Sequence, residues 1–170
     1  MIRIVLIPWI IWATASGPSH PNWYGVAFFL FLVGALSDWL DGWIARKRNE
    51  ITNLGKFLDQ LADKAFLTGV LCAFVWNQQV SYWLLALIVI RDIAVSGARM
   101  LYASRGVVVA AHWLGKVKTV VQMGYVILLY VSLLTGWPGS IVMAVLAWAV
   151  GIITIGSAFS YFRGIGKVLS

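Results

Sequence analysis

Long apolar runs, separated by short breaks rich in glycine, proline and polar residues, dominate this sequence. A helix that crosses the hydrocarbon core of a bilayer needs about 20 apolar residues, and most of these runs approach or exceed that length. Glycine and proline at the breaks are typical of turns between helices. The pattern predicts six helices, at residues 2–15, 23–45, 53–76, 82–103, 113–135 and 140–162.

Composition indicates that these helices lie in a membrane. Hydrophobic residues make up 61% of the 170 residues and charged residues only 11%, whereas a soluble domain carries about 25% charge because its surface faces water. Disorder is excluded as well, since it requires low hydrophobicity. The sequence therefore predicts one all-α integral membrane domain over residues 1–170. The lone cysteine, Cys72, cannot form an internal disulfide, and we expect it to be a small core residue.

The cations of the chain are distributed unevenly between the two ends of the predicted helices. The connections at 16–22, 77–81 and 136–139 contain no Lys or Arg, and all 13 cations fall on the opposite side or in its half of the membrane. The positive-inside rule makes that side cytoplasmic, with six spans and both termini inside. No segment forms a soluble basic face, so the net charge of +7 predicts no nucleic-acid partner. Four tryptophans are expected to form an aromatic belt at the other interface: Trp23, Trp76, Trp83 and Trp137.

The first apolar run has a second interpretation. Arg3, the apolar stretch and Ala13-Thr14-Ala15 also fit a signal peptide with a small-residue cleavage site. Cleavage would leave five spans. Pro8 interrupts the stretch and the charge alternation agrees with six spans, so we favour a retained helix.

Four of the six acidic residues form two pairs at helical spacing. Asp38 and Asp41 are three residues apart, and Asp59 and Asp63 are four apart, so each pair shares a helix face. Both pairs lie near residues 46–53, which join the two helices as a hairpin, and we expect the pairs to converge there. Carboxylates that converge need neutralisation, and oxygen ligands favour Mg²⁺, Mn²⁺ or Ca²⁺. Two such ions suit phosphoryl chemistry.

Other interpretations of these acids stay open on spacing alone. The carboxylates could form structural salt bridges with Arg46, Lys56 and Lys64. Buried acids are also typical of proton and cation transporters. Small residues beside the acids, Gly42, Ala45 and Gly55, leave room for a flat, bulky group to approach the metals, or else permit close helix packing.

The complete spacing is more specific than the acids alone. Its first half is Asp38-Trp-Leu-Asp41-Gly42-Trp-Ile-Ala45-Arg46, and eight residues later its second half is Gly55-Lys-Phe-Leu-Asp59-Gln-Leu-Ala-Asp63. This order resembles, without a gap, the CDP-alcohol phosphatidyltransferase signature D-x2-D-G-x2-A-R-x8-G-x3-D-x3-D. Eight fixed positions over 26 residues make a chance match negligible.

The resemblance implies a six-helix membrane enzyme, usually a homodimer, whose site opens to the cytoplasm. Such enzymes transfer a phosphatidyl or related group from a CDP-linked donor to an alcohol and release CMP. By this resemblance Asp38, Asp41 and Asp59 would bind the divalent metals, two Mg²⁺ or Mn²⁺ ions, and Asp63 would be the general base and a further metal ligand. The CDP group would be held by Asp38, Gly42, Ala45, Arg46 and Gly55.

Cations beyond the signature suggest a phosphorylated acceptor. Arg91, Arg99, Lys116 and Lys118 exceed what the remaining Asp92 could balance, and a phosphate would neutralise them. Snorkelling, or attraction to anionic headgroups, is the alternative.

A narrower resemblance concerns the acceptor. Several segments are similar to the bacterial phosphatidylglycerophosphate synthases of the same family: Ile90 to Arg99, Trp113 to Thr119, Gln122-Met123 and Asp59 to Lys64. It implies CDP-diacylglycerol as donor, sn-glycerol 3-phosphate as acceptor, contact with membrane lipids and a place in the bacterial inner membrane. Inositol phosphate, serine and phosphatidylglycerol stay open as acceptors.

Two positions depart from those synthases. They usually have Pro after the third Asp of the signature, where this chain has Gln60. They also carry a short amphipathic stretch that ends in an Arg. Arg3 matches that Arg, and this chain begins two residues before it.

Overall fold

Six α-helices form the protein in a computed structural model that describes the backbone of residues 2–48, 53–104 and 113–169, with side chains described outside residues 1–2, 38–60, 103–112, 114, 162 and 164–170. The helices are α1 (Ile2–Ser16), α2 (Asn22–Arg48), α3 (Asn53–Trp76), α4 (Tyr82–Ser104), α5 (Trp113–Thr135) and α6 (Ser140–Leu169). All six predicted helices are confirmed. α2 and α6 extend beyond the apolar runs because helical hydrogen bonding continues into polar sequence, whereas hydropathy marks only the apolar part.

Two compact units divide the chain. The first comprises Met1–Val80 with Tyr130–Gly136, and the second comprises Ser81–Leu129 with Trp137–Ser170. We call them unit 1 and unit 2. The assignment of the whole chain to one domain stays a prediction.

Aromatic side chains form the centre of unit 1, where α1 packs against both α2 and α3. The rings of Phe31 and Phe66 stack with centroids 5.1 Å apart. Tyr130 packs edge-on against Phe74, with 4.8 Å between the centroids. All four side chains are fully buried, so this cluster joins α2 and α3 to the end of α5.

A glycine permits close contact between three helices of unit 1. A β-carbon built on Gly34 of α2 would lie 2.8 Å from Phe66 Cε2 on α3 and 3.5 Å from Arg3 Cγ on α1. Real β-carbons do not come this close to a ring. Only glycine allows the three helices to meet here in their present positions.

Polar contacts close the other end of unit 1. The hydroxyl groups of Thr14 and Tyr130 lie 2.6 Å apart and are buried. Asn77 donates to the Thr14 carbonyl over 2.7 Å and to the Tyr24 hydroxyl over 3.4 Å. α1 therefore contributes to the core of the unit.

Unit 2 is organised by the packing of α4 against α6. Val95 and Tyr161 are buried together, with Ala98 and Tyr102 against them. At the other end of the contact, a β-carbon on Gly151 would sit 3.8 Å from both Leu84 and Leu87, an ordinary packing distance.

Glycine also ends α5. Gly136 adopts a φ of 75°, a left-handed conformation that disfavours other residues. Its N–H donates to the Ser132 carbonyl over 2.9 Å and satisfies one of the free carbonyls of the last turn.

Two helical segments of the described chain are long and apolar enough to cross a membrane, Gly115–Thr135 and Ser140–Tyr161. Arg3–Ser16 and Asn22–Ser37 are shorter apolar segments. Of the four tryptophans expected in an interfacial belt, Trp76, Trp83 and Trp137 are exposed at or next to helix ends, whereas Trp23 is half-buried against Trp12. The core position expected for Cys72 is wrong, because its side chain is exposed. An apolar helix in a membrane faces lipid as well as protein, so apolar surroundings in sequence do not imply burial.

Candidate active site

The register of α2 against α3 brings the two acidic pairs to the same level. Only residues 49–52 link the helices, and the helices touch at Gly34 and Phe66, so they must run antiparallel. Asp38 lies four residues beyond Gly34, about 6 Å along the axis, and Asp63 lies three residues before Phe66, about 4.5 Å in the same direction.

The other acid of each pair also lies at a matching level along the two helices. Asp41 and Asp59 are each seven residues from the contact, about 10.5 Å along the axis. Both pairs therefore lie on the half of the hairpin next to residues 49–52. This backbone arrangement fits a single cluster of oxygen ligands, the donor set that hard divalent cations prefer.

Most of the predicted metal and nucleotide ligands fall outside the described side chains. This applies to Asp38, Asp41, Gly42, Ala45, Arg46, Gly55 and Asp59. Among the side chains that the structure does describe, no group of three or more His, Cys, Asp or Glu could hold a metal ion. The metal cluster thus stays a prediction supported by helix register.

Asp63 is described, and its partner is a cation from α1. Its carboxylate accepts a hydrogen bond from Nη1 of Arg3. The Arg3 side chain is only 7% exposed, whereas that of Asp63 is 48% exposed. Arg3 therefore carries a buried charge that Asp63 compensates, and the carboxylate keeps an open side.

A second polar cluster lies in unit 2 and centres on Asp92 of α4. Lys118 of α5 places its Nζ 2.5 and 2.6 Å from the two carboxylate oxygens of Asp92. Arg91 donates from Nη1 to the same carboxylate over 3.1 Å and from Nε to the Ser157 hydroxyl of α6 over 3.0 Å. Ser157 in turn donates to the Thr154 carbonyl over 2.8 Å.

The four predicted phosphate ligands therefore differ in their surroundings. Lys118 is buried and Arg91 nearly so, and both contact Asp92. Lys116 is exposed on the first turns of α5. Arg99 has a buried Nε with no hydrogen-bond partner among the described residues. Lys118 departs most from the expectation of an open phosphate ligand, because its ammonium already binds a carboxylate.

Sequence reasoning did not find the contacts of Arg3 and Ser157. The match of Arg3 to the Arg before the first helix of the synthases was a signal for Arg3, although it did not name Asp63. Nothing in the sequence singles out Ser157, because its role depends on the packing of α6 against α4.

Comparison with known proteins identifies the class. The family model of the CDP-alcohol phosphatidyltransferases matches residues 1–156. The chain belongs to this family, which is generally metal-dependent, and it is an integral membrane protein.

Relatives within the family share one description. A Bacillus subtilis protein is 39% identical over 137 residues, which cover 78% of this chain and 69% of the relative. A Rickettsia felis protein is 34% identical over 97% of this chain and 91% of its own length. An Escherichia coli K12 protein is 34% identical over 72% of this chain and 69% of its own length. Each is described as CDP-diacylglycerol–glycerol-3-phosphate 3-phosphatidyltransferase.

Proposed function

We propose that this protein transfers a phosphatidyl group from CDP-diacylglycerol to sn-glycerol 3-phosphate, producing phosphatidylglycerophosphate and CMP. The observation that carries the proposal is the family match over residues 1–156 together with the shared description of its relatives. The unbroken signature from Asp38 to Asp63 supports it, because every position of the pattern is present.

The reaction requires a proton acceptor and a stabilised leaving group. A hydroxyl oxygen of glycerol 3-phosphate attacks the phosphorus that carries the diacylglycerol, the bond from that phosphorus to the CMP oxygen breaks, and CMP leaves with the electron pair. Asp63 takes the hydroxyl proton, which requires an accessible carboxylate. Its 48% exposed side chain supports this role.

The carboxylates of Asp38, Asp41, Asp59 and Asp63 hold two divalent cations, Mg²⁺ or Mn²⁺, in this proposal. When bound, the ions neutralise charge on the diphosphate and on the departing CMP. The level at which α2 and α3 place these four residues supports the assignment.

The remaining signature residues hold the CDP group. Gly42, Ala45 and Gly55 leave room for the nucleotide, and Arg46 forms a charge-assisted contact to donor phosphate. Asp38 contributes to the nucleotide site as well as to the metals.

The acceptor phosphate is assigned to cations of unit 2. Arg91, Arg99, Lys116 and Lys118 include more positive charge than Asp92 neutralises. Arginine suits this task because its planar guanidinium forms two parallel hydrogen bonds to phosphate.

In this proposal the protein spans the bacterial inner membrane six times with both termini in the cytoplasm. It acts as a homodimer and meets its lipid donor among the membrane lipids. The absence of Lys and Arg from 16–22, 77–81 and 136–139 supports the orientation.

An acceptor panel tests the function directly. Purified protein in detergent micelles receives labelled CDP-diacylglycerol, Mg²⁺ and one acceptor: glycerol 3-phosphate, inositol phosphate, serine or phosphatidylglycerol. We expect CMP release and labelled phosphatidylglycerophosphate with glycerol 3-phosphate only, and loss of both with excess EDTA. Faster turnover with another acceptor would overturn the acceptor assignment and keep the reaction class.

Replacing Asp63 tests the assigned base, and the contact with Arg3 determines the control. Asp63→Asn removes the base, but it also removes one negative charge that contacts the buried Arg3 cation. The double variant Asp63→Asn/Arg3→Met removes both charges of this pair, so its loss of turnover reports the proposed roles of Asp63 as base and metal ligand and not the broken ion pair. We expect both folded variants to lose at least about 100-fold in turnover. Near-normal turnover in the double variant would show that another group takes the proton.

Single cysteines in a Cys72→Ser background test the orientation. Ser19→Cys lies in the connection between α1 and α2, and Ser104→Cys lies at the end of α4. In intact cells an impermeant maleimide should label Ser19→Cys and not Ser104→Cys. The reverse pattern would place both termini outside.

A further inference from the structure

Asp92 of α4 is the centre of a largely buried ion cluster whose cations are its neighbour Arg91 and Lys118 of α5. Lys118 lies within 2.6 Å of both carboxylate oxygens, a distance typical of strong charge-assisted hydrogen bonds. The Lys118 side chain is 5% exposed and that of Asp92 14% exposed. The ammonium is thus turned to the carboxylate and has little exposed surface for a soluble ligand.

Arg91 is held at two points and keeps part of its guanidinium uncommitted. Its Nε donates to Ser157 and one N–H of Nη1 donates to Asp92. No other hydrogen bond of Arg91 is formed among the described residues, so the second N–H of Nη1 and both N–H groups of Nη2 remain as donors. Nη2 lies near Gly115, where an added β-carbon would be 3.9 Å from it.

The charges of this cluster leave a surplus of one. Arg91 and Lys118 contribute two positive charges and Asp92 one negative charge. Both carboxylate oxygens of Asp92 contact Lys118, whereas Arg91 makes a single, longer contact to one of them. The unbalanced charge and the open donors therefore belong to the same side chain, Arg91.

We propose that Asp92 is a positioning residue for the acceptor: its carboxylate fixes Arg91 so that the open guanidinium edge binds the phosphate of glycerol 3-phosphate, while Lys118 serves as counter-charge and does not touch that phosphate. This inference rests on the proposed function. It revises the role of Lys118 among the predicted phosphate ligands and adds Asp92, whose charge alone would exclude it from a phosphate site.

Steady-state kinetics of Asp92→Asn test the proposal. Loss of a charge-assisted anchor should raise the KM for glycerol 3-phosphate about tenfold or more. The kcat and the KM for CDP-diacylglycerol should stay within about twofold of the wild type, because binding of the acceptor alone is impaired. Asp92→Glu keeps the carboxylate and should recover most of the acceptor affinity. An unchanged or lower KM for glycerol 3-phosphate in Asp92→Asn, or no recovery in Asp92→Glu, would overturn the proposal.

A double-mutant cycle separates a counter-charge from a direct ligand. Lys118→Met should raise the KM for glycerol 3-phosphate in the wild type, because Asp92 is then free to draw Arg91 away. The same substitution should change that KM by less than about twofold in the Asp92→Asn background. Equal effects in both backgrounds would mean that Lys118 binds the phosphate directly.

Controls keep this result apart from misfolding and from an error in the function. Thr119→Val is the matched control, since the exposed Thr119 hydroxyl bonds only the Gly115 carbonyl of its own helix. It should leave both KM values unchanged. If Asp92→Asn does not fold, Asp92→Asn/Lys118→Met returns the net charge of the cluster to the wild-type value of one and should still show the raised acceptor KM. If the wild-type protein uses another acceptor and not glycerol 3-phosphate, the proposed function is wrong. If the wild type uses glycerol 3-phosphate and Asp92→Asn has an unchanged KM for it, the function stands and this inference is wrong.

Discussion

A methyl group at Gly34 is a sensitive probe of the contact that sets α1, α2 and α3 together. The added β-carbon would lie 2.8 Å from Cε2 and 2.9 Å from Cζ of Phe66. Phe66 is 1% exposed and stacks on Phe31, so its ring cannot turn away without losing that stack. Either the helices separate or the ring leaves its position, and each change disturbs the core of unit 1.

The expected change in the free energy of unfolding is the sum of two opposing contributions. Overpacking of a filled core costs about 1–3 kcal/mol. Replacing Gly by Ala inside a helix gains up to about 1 kcal/mol. Gly97→Ala in α4 receives only the second term, since nothing lies within 4 Å of its added carbon. We therefore expect Gly34→Ala to be less stable than Gly97→Ala by about 1–3 kcal/mol, the overpacking cost alone.

Gly69 is expected to give a variant of intermediate stability. A β-carbon on Gly69 of α3 would meet Ile11 Cδ1 at 2.9 Å, which is the far end of a flexible side chain. Because that methyl group can rotate away, Gly69→Ala should fall between the other two variants.

Unfolding by SDS in mixed micelles, followed by circular dichroism, measures the three free energies of unfolding. If Gly34→Ala unfolds at the same SDS mole fraction as Gly97→Ala, or at a higher one, the close contact at Phe66 is refuted. CMP release should fall with Gly34→Ala as well, because Phe66 lies within one turn of the assigned base Asp63 on α3.

Three further predictions concern buried polar groups. Thr14→Val leaves the Tyr130 hydroxyl without this hydrogen-bond partner and should lower the free energy of unfolding by about 1–3 kcal/mol. Adding Tyr130→Phe should restore part of that loss when the four proteins of the cycle are compared by thermal unfolding. Fully additive losses would show that the two hydroxyls do not bond. Arg3→Lys should retain more CMP release than Arg3→Met, because only the lysine can compensate the charge of Asp63; equal activities would count against the ion pair. Gln122→Leu should leave the free energy of unfolding within about 1 kcal/mol of the wild type, since its buried Oε1 has no hydrogen-bond partner among the described residues and its Nε2 makes one long bond, 3.4 Å, to the Thr154 hydroxyl. A loss above about 2 kcal/mol would contradict this.

The helices were predictable because the information for them is local. Apolar runs and glycine or proline breaks lie next to one another in sequence, and all six helices follow from them. The end of α6 at Leu169 could not be predicted in this way, because the apolar run stops at residue 162. A run of hydropathy stops where the apolar environment stops, whereas the backbone hydrogen bonds of a helix continue into water.

Within the candidate site, the spacing of the acids was predictable because it is also local information, whereas the contacts of the charged side chains were not. The acidic pairs at i,i+3 and i,i+4 spacing are a local pattern, and the helices place them at one level. The partners of the charges are not local. Lys118 and Asp92 are 26 residues apart, and Arg3 and Asp63 are 60 residues apart. Which side chains meet depends on helix packing, so neither pair could be deduced from spacing.

The pairing of Arg3 with Asp63 orders the assembly of the protein in time. Synthesis at about 5–20 residues per second delivers Asp63 roughly 3–12 s after Arg3. The contact between Arg3 and Asp63 can therefore form only after the hairpin that carries the signature has been synthesised, and α1 reaches its final packing against α3 after that point.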